Sequence, residues 1–302
     1  MSSQADSIKT IFYALGANFA IFISKAFAAA ITGSGAMFAE AVHSLADCAN
    51  QLLLLLGLRS AKRAASEEHP LGEGKAVYFW SFLVALLLFS VGGAFSIWEG
   101  VHKLSHPEPL SWPWLAIGVL AFGVVAESFS MWGCLREVDK ARAGKSLWRW
   151  FRDSRQSELI VVFGEDFAAL CGLSFALVAV SLTAITGNPL YDAAGTLAIG
   201  VLLVLVAVFI AIEVKALLIG QSADAELRRE LRTFLDARSE IDEVFRAITL
   251  QLGPDVMVAI KARMHATTSA AALIEAINAV ERDMKTRFPQ IRWSFFEPDT
   301  AD

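Results

Sequence analysis

Charged side chains and cysteines are both scarce in this chain of 302 residues. Charged residues make up 19% of it and hydrophobic residues 55%, and the hydrophobic residues are concentrated in long runs. The three cysteines are an odd number whose spacing matches no zinc motif, so they provide no disulfide framework. We interpret them as small apolar residues. A composition this apolar excludes an ordinary soluble domain and indicates a membrane protein.

Six apolar runs are long enough to cross a bilayer, which takes about 20 residues in a helix. These runs are residues 11–31, 36–58, 77–101, 112–135, 158–186 and 190–219. After Gly220 the sequence becomes charged and amphipathic. We therefore predict a membrane all-α domain over residues 1–220, built as a six-transmembrane-helix bundle, followed by one small cytoplasmic domain over residues 221–302.

The C-terminal domain has the pattern helix, strand, strand, helix, strand. The predicted elements are residues 224–237, 244–252, 256–265, 269–288 and 291–296. Gly253, Pro254 and Asp255 form the expected hairpin turn between the first two strands. The pattern predicts a small α+β sandwich of the ferredoxin-like type, with two helices on one face of a three-stranded sheet.

Basic residues are distributed very unequally among the connections between the spans. The second and fourth connections hold Arg59, Lys62, Arg63, Lys75, Arg136, Lys140, Arg142, Lys145, Arg149, Arg152 and Arg155. The first, third and fifth connections hold only Lys103. Because basic loops stay on the cytoplasmic side, both termini are predicted to be cytoplasmic. Trp148, Trp150 and Phe151 within the basic run favour contact with anionic lipid head groups over contact with nucleic acid.

The start of the chain has no recognisable targeting leader. Residues 1–9 lack the charged-then-apolar design of a signal peptide, and there is no Arg- and Ser-rich transit leader. The first apolar run is long enough to be retained as a span. We therefore expect an integral, multi-pass protein of a bacterial inner membrane.

The second apolar run contains His43 and Asp47, one helical turn apart. Residues at positions i and i+4 lie on the same helix face, so the imidazole and the carboxylate can converge. Together they have the ligand chemistry of a divalent transition metal, zinc above all. Glu40 and Asn50 extend the same face, so a polar ladder that only holds helices together is the alternative. Ionisable groups at this depth usually mark an ion pathway, and we predict a metal site here.

Asp166 in the fifth run is the best candidate for a third ligand. Glu165 points about 100° away from it around the helix, toward a face with small residues that another helix can approach. Glu127 in the fourth run is a ligand, a proton carrier or the ion-pair partner of Lys25. Lys25 alternatively extends to the membrane interface. Glu127, Glu165 and Glu40 are thus candidates for a supporting ligand or a proton carrier.

The sixth apolar run opens with a strong helix-start pattern. Asn188 can cap the first N–H groups, and Pro189 in the first turn has no N–H group that the helix would need. Asp192 follows in the same turn, where negative charge is favourable. We therefore predict a structural role for Asp192 in preference to metal ligation.

Over nearly its whole length, the chain resembles the cation diffusion facilitator family. The general motifs are Thr32-Gly-Ser34, His43-Ser-Leu-Ala-Asp47, His69-Pro-Leu-Gly72 and Trp98-Glu-Gly-Val101. Further motifs are similar to the branch that contains the mitochondrial zinc exporter of animals. They are Ala126-Glu-Ser128, Glu165-Asp-Phe-Ala-Ala169 and Thr186-Gly-Asn-Pro-Leu-Tyr-Asp192.

The resemblance implies divalent-metal efflux by exchange with protons, in a homodimer whose cytoplasmic domains pair. The family's usual site combines two residues four apart in the second span with a His and an Asp four apart in the fifth. His43, Asp47 and Asp166 match this pattern, whereas Val162 occupies the position of the second His. Water, Glu127 or Glu165 would complete the coordination shell of the metal ion. Replacing nitrogen with oxygen shifts the expected preference from zinc toward harder ions such as manganese.

The predicted function is therefore efflux of a divalent cation by metal/proton antiport with alternating access. Zinc is the first expectation for the metal, and manganese, iron or cobalt are the alternatives. We expect metal ions, protons, the lipid bilayer and a second copy of the chain as partners, with no nucleic acid. The metal is cargo, so no cofactor and no enzymatic activity are expected.

Three alternatives stay open beside this prediction. A transport-inactive membrane scaffold or metal-sensing regulator with the same fold is favoured by Val162. A membrane metalloprotease requires a His-Glu-x-x-His run on its zinc helix, and the sequence has none. Proton-coupled transport of an organic cation requires a wide apolar cavity with aromatic contacts.

Overall fold

The computed structural model describes the backbone of residues 2–142 and 144–301, with side chains described at residue 16 and from residue 18 onward within those ranges. The prediction about a leader depends on the side chains of residues 1–9, which lie outside this description. The side chains of residues 11–15 and 17, in the first part of the apolar run, lie outside it as well.

Long helices dominate the chain up to residue 219. They are α1 Ser2–Thr32, α2 Gly35–Ala61, α3 Ala76–Leu87, α4 Phe95–Ser105, α5 Pro113–Ala141, α6 Leu147–Asp153, α7 Ser157–Thr186 and α8 Leu190–Ile219. A π-helical segment, Leu88–Ala94, joins α3 to α4. Among the described residues, 5 helices are long and apolar enough to cross a membrane, and α1 adds a shorter apolar stretch at Asn18–Thr32. The predicted membrane all-α part is confirmed, with five to six apolar helices.

Two features of the helical part were not predicted. The π-helical segment contains Gly92 and Gly93 in sequence, and such glycine pairs loosen regular helix geometry. The helix α6 lies within the basic connection and buries Trp150 and Phe151, whereas Trp148 is exposed. Of these three aromatic side chains, only Trp148 is available to lipid head groups, so the predicted lipid contact is wrong for the other two.

The chain folds as two compact units. The first contains the residues up to Leu56, Trp80–Ser146 and Glu158–Glu213, and the second contains Gly57–Phe79, Leu147–Ser157 and the residues from Val214 onward. The second unit thus takes in helix ends together with the C-terminal elements. The domain boundary predicted at residue 220 stays a prediction.

The second unit contains a three-stranded sheet in the order β1–β2–β3. Its elements are α9 Ala225–Asp236, β1 Ile241–Leu252, β2 Asp255–Met264, α10 Ala270–Arg287 and β3 Ile291–Pro298. β1 and β2 pair antiparallel, and α10 then carries the chain across so that β3 pairs parallel to β2. Alternate residues of β2 are buried in one apolar core with Leu231 of α9 and Met284 of α10. The predicted α+β fold is confirmed.

Tyr78, near the start of α3, is hydrogen-bonded to the β1–β2 turn within the second unit. Its hydroxyl accepts a hydrogen bond from the N–H of Gly253 at 2.9 Å and donates one to the carbonyl oxygen of Gly253 at 3.3 Å. Gly253 has a φ of 68°, in the left-handed region that glycine adopts without strain. Both residues are buried, so the hydroxyl of Tyr78 is the hydrogen-bond partner that the N–H group of Gly253 needs in place of water.

Tyr78→Phe removes this hydroxyl and leaves the buried N–H of Gly253 without its partner. We expect the free energy of unfolding to fall by about 1–3 kcal/mol, the usual cost of an unsatisfied buried group. Thermal unfolding of the detergent-solubilised protein measures the change. Tyr191→Phe, at an exposed tyrosine of α8, is the matched control and should leave the midpoint unchanged. Equal midpoints for the two variants would contradict the role assigned to the Tyr78 hydroxyl.

Candidate metal centre

His43 and Asp47 lie together on α2, with the imidazole Nδ1 3.6 Å from Oδ1 of Asp47. The side chain of His43 is 1% exposed and that of Asp47 is 18% exposed. Among the described residues, neither imidazole nitrogen of His43 has a hydrogen-bond partner, and neither does Oδ1 of Asp47. Buried polar atoms in folded proteins are almost always hydrogen-bonded. The pair is therefore a buried set of polar atoms available to a ligand.

Asp166 lies on α7 and faces α5. Ser130 donates a hydrogen bond from Oγ to Oδ1 of Asp166 at 3.3 Å, and the thiol of Cys134 is within hydrogen-bonding reach of the same carboxylate. Glu127 and Asp47 are close enough for their charges to interact with that of Asp166. The contact of Cys134 was missed, because the sequence analysis treated this thiol as an apolar residue. Its spacing of seven residues from Glu127 places both on one face of α5 and was the available signal.

The three predicted ligands do not share one coordination shell in this structure. Among the residues that the structure describes, no group of three His, Cys, Asp or Glu side chains is close enough together to hold a metal ion. His43 and Asp47 form one half of the predicted metal site on α2, and Asp166 forms the other half on α7. Val162, one turn before Asp166, is half-buried and provides no ligand. The assignment of the three residues to a single metal site therefore stays a prediction.

Lys25 of α1 is paired with α2. Its Nζ is 3.2 Å from Oε2 of Glu40 and donates a hydrogen bond to Oγ of Ser44 at 2.8 Å. The lysine is 2% exposed, so its expected extension to the membrane interface is wrong. Its ion pair is with Glu40, so the expected pairing with Glu127 is wrong as well. The tight turn between α1 and α2 folds them into a hairpin, which brings two residues fifteen apart in sequence face to face. The structure thus places Glu40 in an ion pair with a lysine.

Glu165 faces α2, whereas its neighbour Asp166 faces α5. Nδ2 of Asn50 donates a hydrogen bond to Oε1 of Glu165 at 2.5 Å, and both side chains are buried. The small residues predicted on this face of α7 do admit another helix. At Gly172, an added Cβ would come within 2.5 Å of Oε1 of Glu40, a residue of α2. The two neighbouring carboxylates of α7 therefore have different surroundings, as their 100° separation requires.

Lys25→Met leaves the carboxylate of Glu40 buried without its cation. Removing one partner of a buried ion pair costs about 3–5 kcal/mol, because the remaining charge is uncompensated. We expect a large fall in the thermal midpoint in detergent, partly recovered in the double variant Lys25→Met/Glu40→Gln. Lys62→Met, at an exposed lysine, is the control and should have the midpoint of the wild type. A single variant as stable as the wild type would show that the ion pair does not stabilise the bundle.

Known proteins with similar sequences are named for metal transport. The chain is 35% identical over 242 residues to a mitochondrial proton-coupled zinc antiporter of Xenopus laevis, covering 80% of this chain and 43% of the relative. It is 34% identical over 224 residues to the Homo sapiens antiporter of the same name, covering 74% and 39%. It is 27% identical over 270 residues to the cation-efflux pump FieF of Klebsiella pneumoniae, covering 89% and 85%. The chain spans about two fifths of the length of the two antiporters.

The expectation of a bacterial inner membrane with cytoplasmic termini is wrong. The antiporters of Xenopus laevis, Homo sapiens, Pongo abelii and Mus musculus are all named as mitochondrial, and these names do not support a bacterial inner membrane. The expectation depended on the absence of a leader. A sequence that spans only part of its relatives gives no information about a leader. A multi-pass membrane protein stays supported by the apolar helices.

The sequence profile of the cation efflux transmembrane domain matches residues 11–219. The match covers more than half of the chain and includes α2, α5 and α7, which carry the candidate metal residues. The resemblance to the cation diffusion facilitators, in the branch of the animal mitochondrial zinc exporter, is confirmed by this match and by the antiporters. This chain belongs to the cation efflux family.

Proposed function

We propose that this protein carries divalent metal ions, zinc first, across a membrane in exchange for protons. The observation that carries the proposal is the buried pair of His43 and Asp47 in a helix long and apolar enough to cross a membrane. Three of their polar atoms have no hydrogen-bond partner among the described residues. Leaving such atoms unpaired is unfavourable, so a ligand that pairs with them is favoured. Imidazole and carboxylate are ligands suited to zinc.

The names of proteins with similar sequences support the same function. Those of Xenopus laevis and Homo sapiens are named as proton-coupled zinc antiporters, which supports zinc as the cargo and protons as the counter-ion. A further relative is named as a pump, which favours transport over an enzymatic reaction. We place the protein in a mitochondrial membrane on the same ground. The family resemblance supports a homodimer.

Metal binding, in this proposal, joins two halves of a site that lie apart in the present structure. His43 and Asp47 of α2 receive the ion first, and Asp166 then approaches from α7. The two carboxylates balance the charge of a divalent cation, and binding relieves the repulsion between them. Glu127 is near enough to Asp166 for their charges to interact, so it is the supporting carboxylate on the α5 side.

Protons compete with the metal for the same atoms. A metal ion requires a neutral imidazole and ionised carboxylates, so the metal-bound and the protonated states exclude each other. Opening of the site to the side with more protons then releases the metal. Exclusive occupancy of this kind is the requirement for obligatory exchange.

A scaffold or metal-sensing regulator that does not transport is the second candidate function. Two observations favour it. No three-ligand cluster is present among the residues described, and Val162 replaces a nitrogen ligand of the usual family site. This candidate is separated from the first by measuring ion flux.

Asp47→Asn and Asp166→Asn each remove one negative charge while preserving the shape of the side chain. We expect zinc uptake into proteoliposomes under a pH gradient, and the coupled proton flux, to fall to the level of protein-free liposomes in both variants. Asp139→Asn, at an exposed carboxylate of α5 paired with Arg142, is the control and should transport normally. Normal flux in either site variant would contradict the site assignment.

The same proteoliposomes distinguish the two candidate functions. Wild-type protein that is folded but carries no zinc, manganese, iron or cobalt would contradict transport and favour the scaffold.

Val162→His supplies an imidazole four residues before Asp166, on the same face of α7. We expect the preference for zinc over manganese to rise about tenfold, because imidazole suits zinc better than an oxygen ligand does. The ratio of the two transport rates measures this preference. Val178→His makes the same substitution at an exposed position of α7 and should leave the ratio unchanged. An unchanged ratio in Val162→His would show that this position does not face the transported ion.

A further inference from the structure

The first turn of α2 is capped by a residue of α8. Asp192 is 2% exposed, and its carboxylate accepts hydrogen bonds from the N–H groups of Gly35 at 2.7 Å and Ala36 at 3.3 Å. It also accepts one from Oγ of Ser34 at 2.5 Å. The first N–H groups of a helix have no partner within that helix. The sequence analysis predicted a structural role for Asp192 in the first turn of its own helix. The hydrogen bonds of its carboxylate go to the start of another helix, α2.

Lys103 of α4 completes this cluster. Its Nζ donates a hydrogen bond to the carbonyl oxygen of Gly33 and lies 3.9 Å from Oδ2 of Asp192. An added Cβ at Gly35 would lie 2.7 Å from Cδ of Lys103 and 2.8 Å from Oγ1 of Thr196. The absence of a side chain at Gly35 therefore lets α4 and α8 reach the start of α2. The positive end of a helix dipole and a lysine together stabilise the buried carboxylate.

The capped turn and the two candidate metal residues lie on the same helix. His43 and Asp47 follow Gly35 by eight and twelve residues, which is about 12 Å and 18 Å along the helix axis at 1.5 Å per residue. A regular helix transmits an axial shift or a rotation of its first turn to side chains at these distances. The depth and the direction of both side chains therefore depend on what holds the first turn.

We infer that Asp192 is a positioning residue, which caps α2 from α8 and thereby sets the depth and rotation at which His43 and Asp47 face α7. The inference rests on the proposed function and deepens it. Asp192 acts through α2 and has no contact with the ion, since its carboxylate already binds the first turn of that helix and Lys103.

Asp192→Asn tests the inference because it preserves the shape of the side chain but removes the charge and one of the two acceptor oxygens. We expect the zinc concentration for half-maximal uptake into proteoliposomes to rise about tenfold, with the maximal rate per folded molecule within about twofold of the wild type. Asn188→Ala is the matched control. It removes a cap at the start of α8, the hydrogen bond from the N–H of Leu190 at 3.0 Å, and should leave the zinc dependence unchanged.

A second variant and a second measurement keep the test decisive. Ser34→Ala removes one donor to Asp192 and also the acceptor for the N–H of Met37 at 3.1 Å, so it loosens the same first turn of α2. It should raise the half-maximal zinc concentration about threefold and replaces Asp192→Asn if that variant does not fold. Amide hydrogen exchange at Gly35 and Ala36 should be faster in Asp192→Asn and unchanged in Asn188→Ala.

The outcomes separate this inference from the proposed function. Wild-type protein without zinc flux would overturn the proposed function itself. Wild-type flux together with an unchanged half-maximal concentration in Asp192→Asn would overturn only the inference. Faster exchange with a lower maximal rate and an unchanged half-maximal concentration would also overturn it, since that result describes a cap needed for folding alone.

Discussion

The polar side chains of α2 must be paired inside an apolar bundle, and the surrounding helices are arranged to pair with them. Lys25 of α1 binds Glu40, and Glu165 of α7 accepts a hydrogen bond from Asn50. Between these two contacts lie His43 and Asp47, and three of their polar atoms have no hydrogen-bond partner among the described residues. One oxygen each of Glu40, Asn50 and Gln51 is likewise unpaired there. An unpaired buried polar group costs about 1–3 kcal/mol and an unpaired charge costs more. The unpaired atoms of His43 and Asp47 combine an imidazole with a carboxylate, which are ligand types that suit zinc, and these two residues therefore mark the place for a ligand.

The same pairing determines the charge that a metal ion meets. Lys25 compensates Glu40, and Glu165 accepts a hydrogen bond from an amide that carries no charge. Asp47, Asp166 and Glu127 lie close enough for their charges to interact, and the charge of Glu165 interacts with those of Asp47 and Asp166. Two ionised carboxylates balance the charge of a divalent cation, so this group holds more carboxylates than one ion requires. A proton carrier beside a metal ligand pair is consistent with exchange.

Patterns local in sequence predicted the helices and the small sheet, because apolar runs, turn glycines and strand alternation each act over a few neighbouring residues. The spacing of His43 and Asp47 is local in the same sense and predicted their shared face. The partners of Lys25 and Asp192 depend on helix packing and are separated from them by 15 and 157 residues, so no periodicity encodes them. The contact between Cys134 and Asp166 was hidden for the same reason, since it joins α5 to α7.

X-ray absorption spectroscopy at the zinc edge of the purified, zinc-loaded protein tests the central claim most directly. The proposed site predicts a shell of nitrogen and oxygen at about 2.0–2.2 Å, with the outer scattering of one imidazole from His43 and no sulfur. Loss of the imidazole signal in His43→Ala would accompany that result. A sulfur ligand at about 2.3 Å would contradict the account, because none of the proposed ligands carries sulfur.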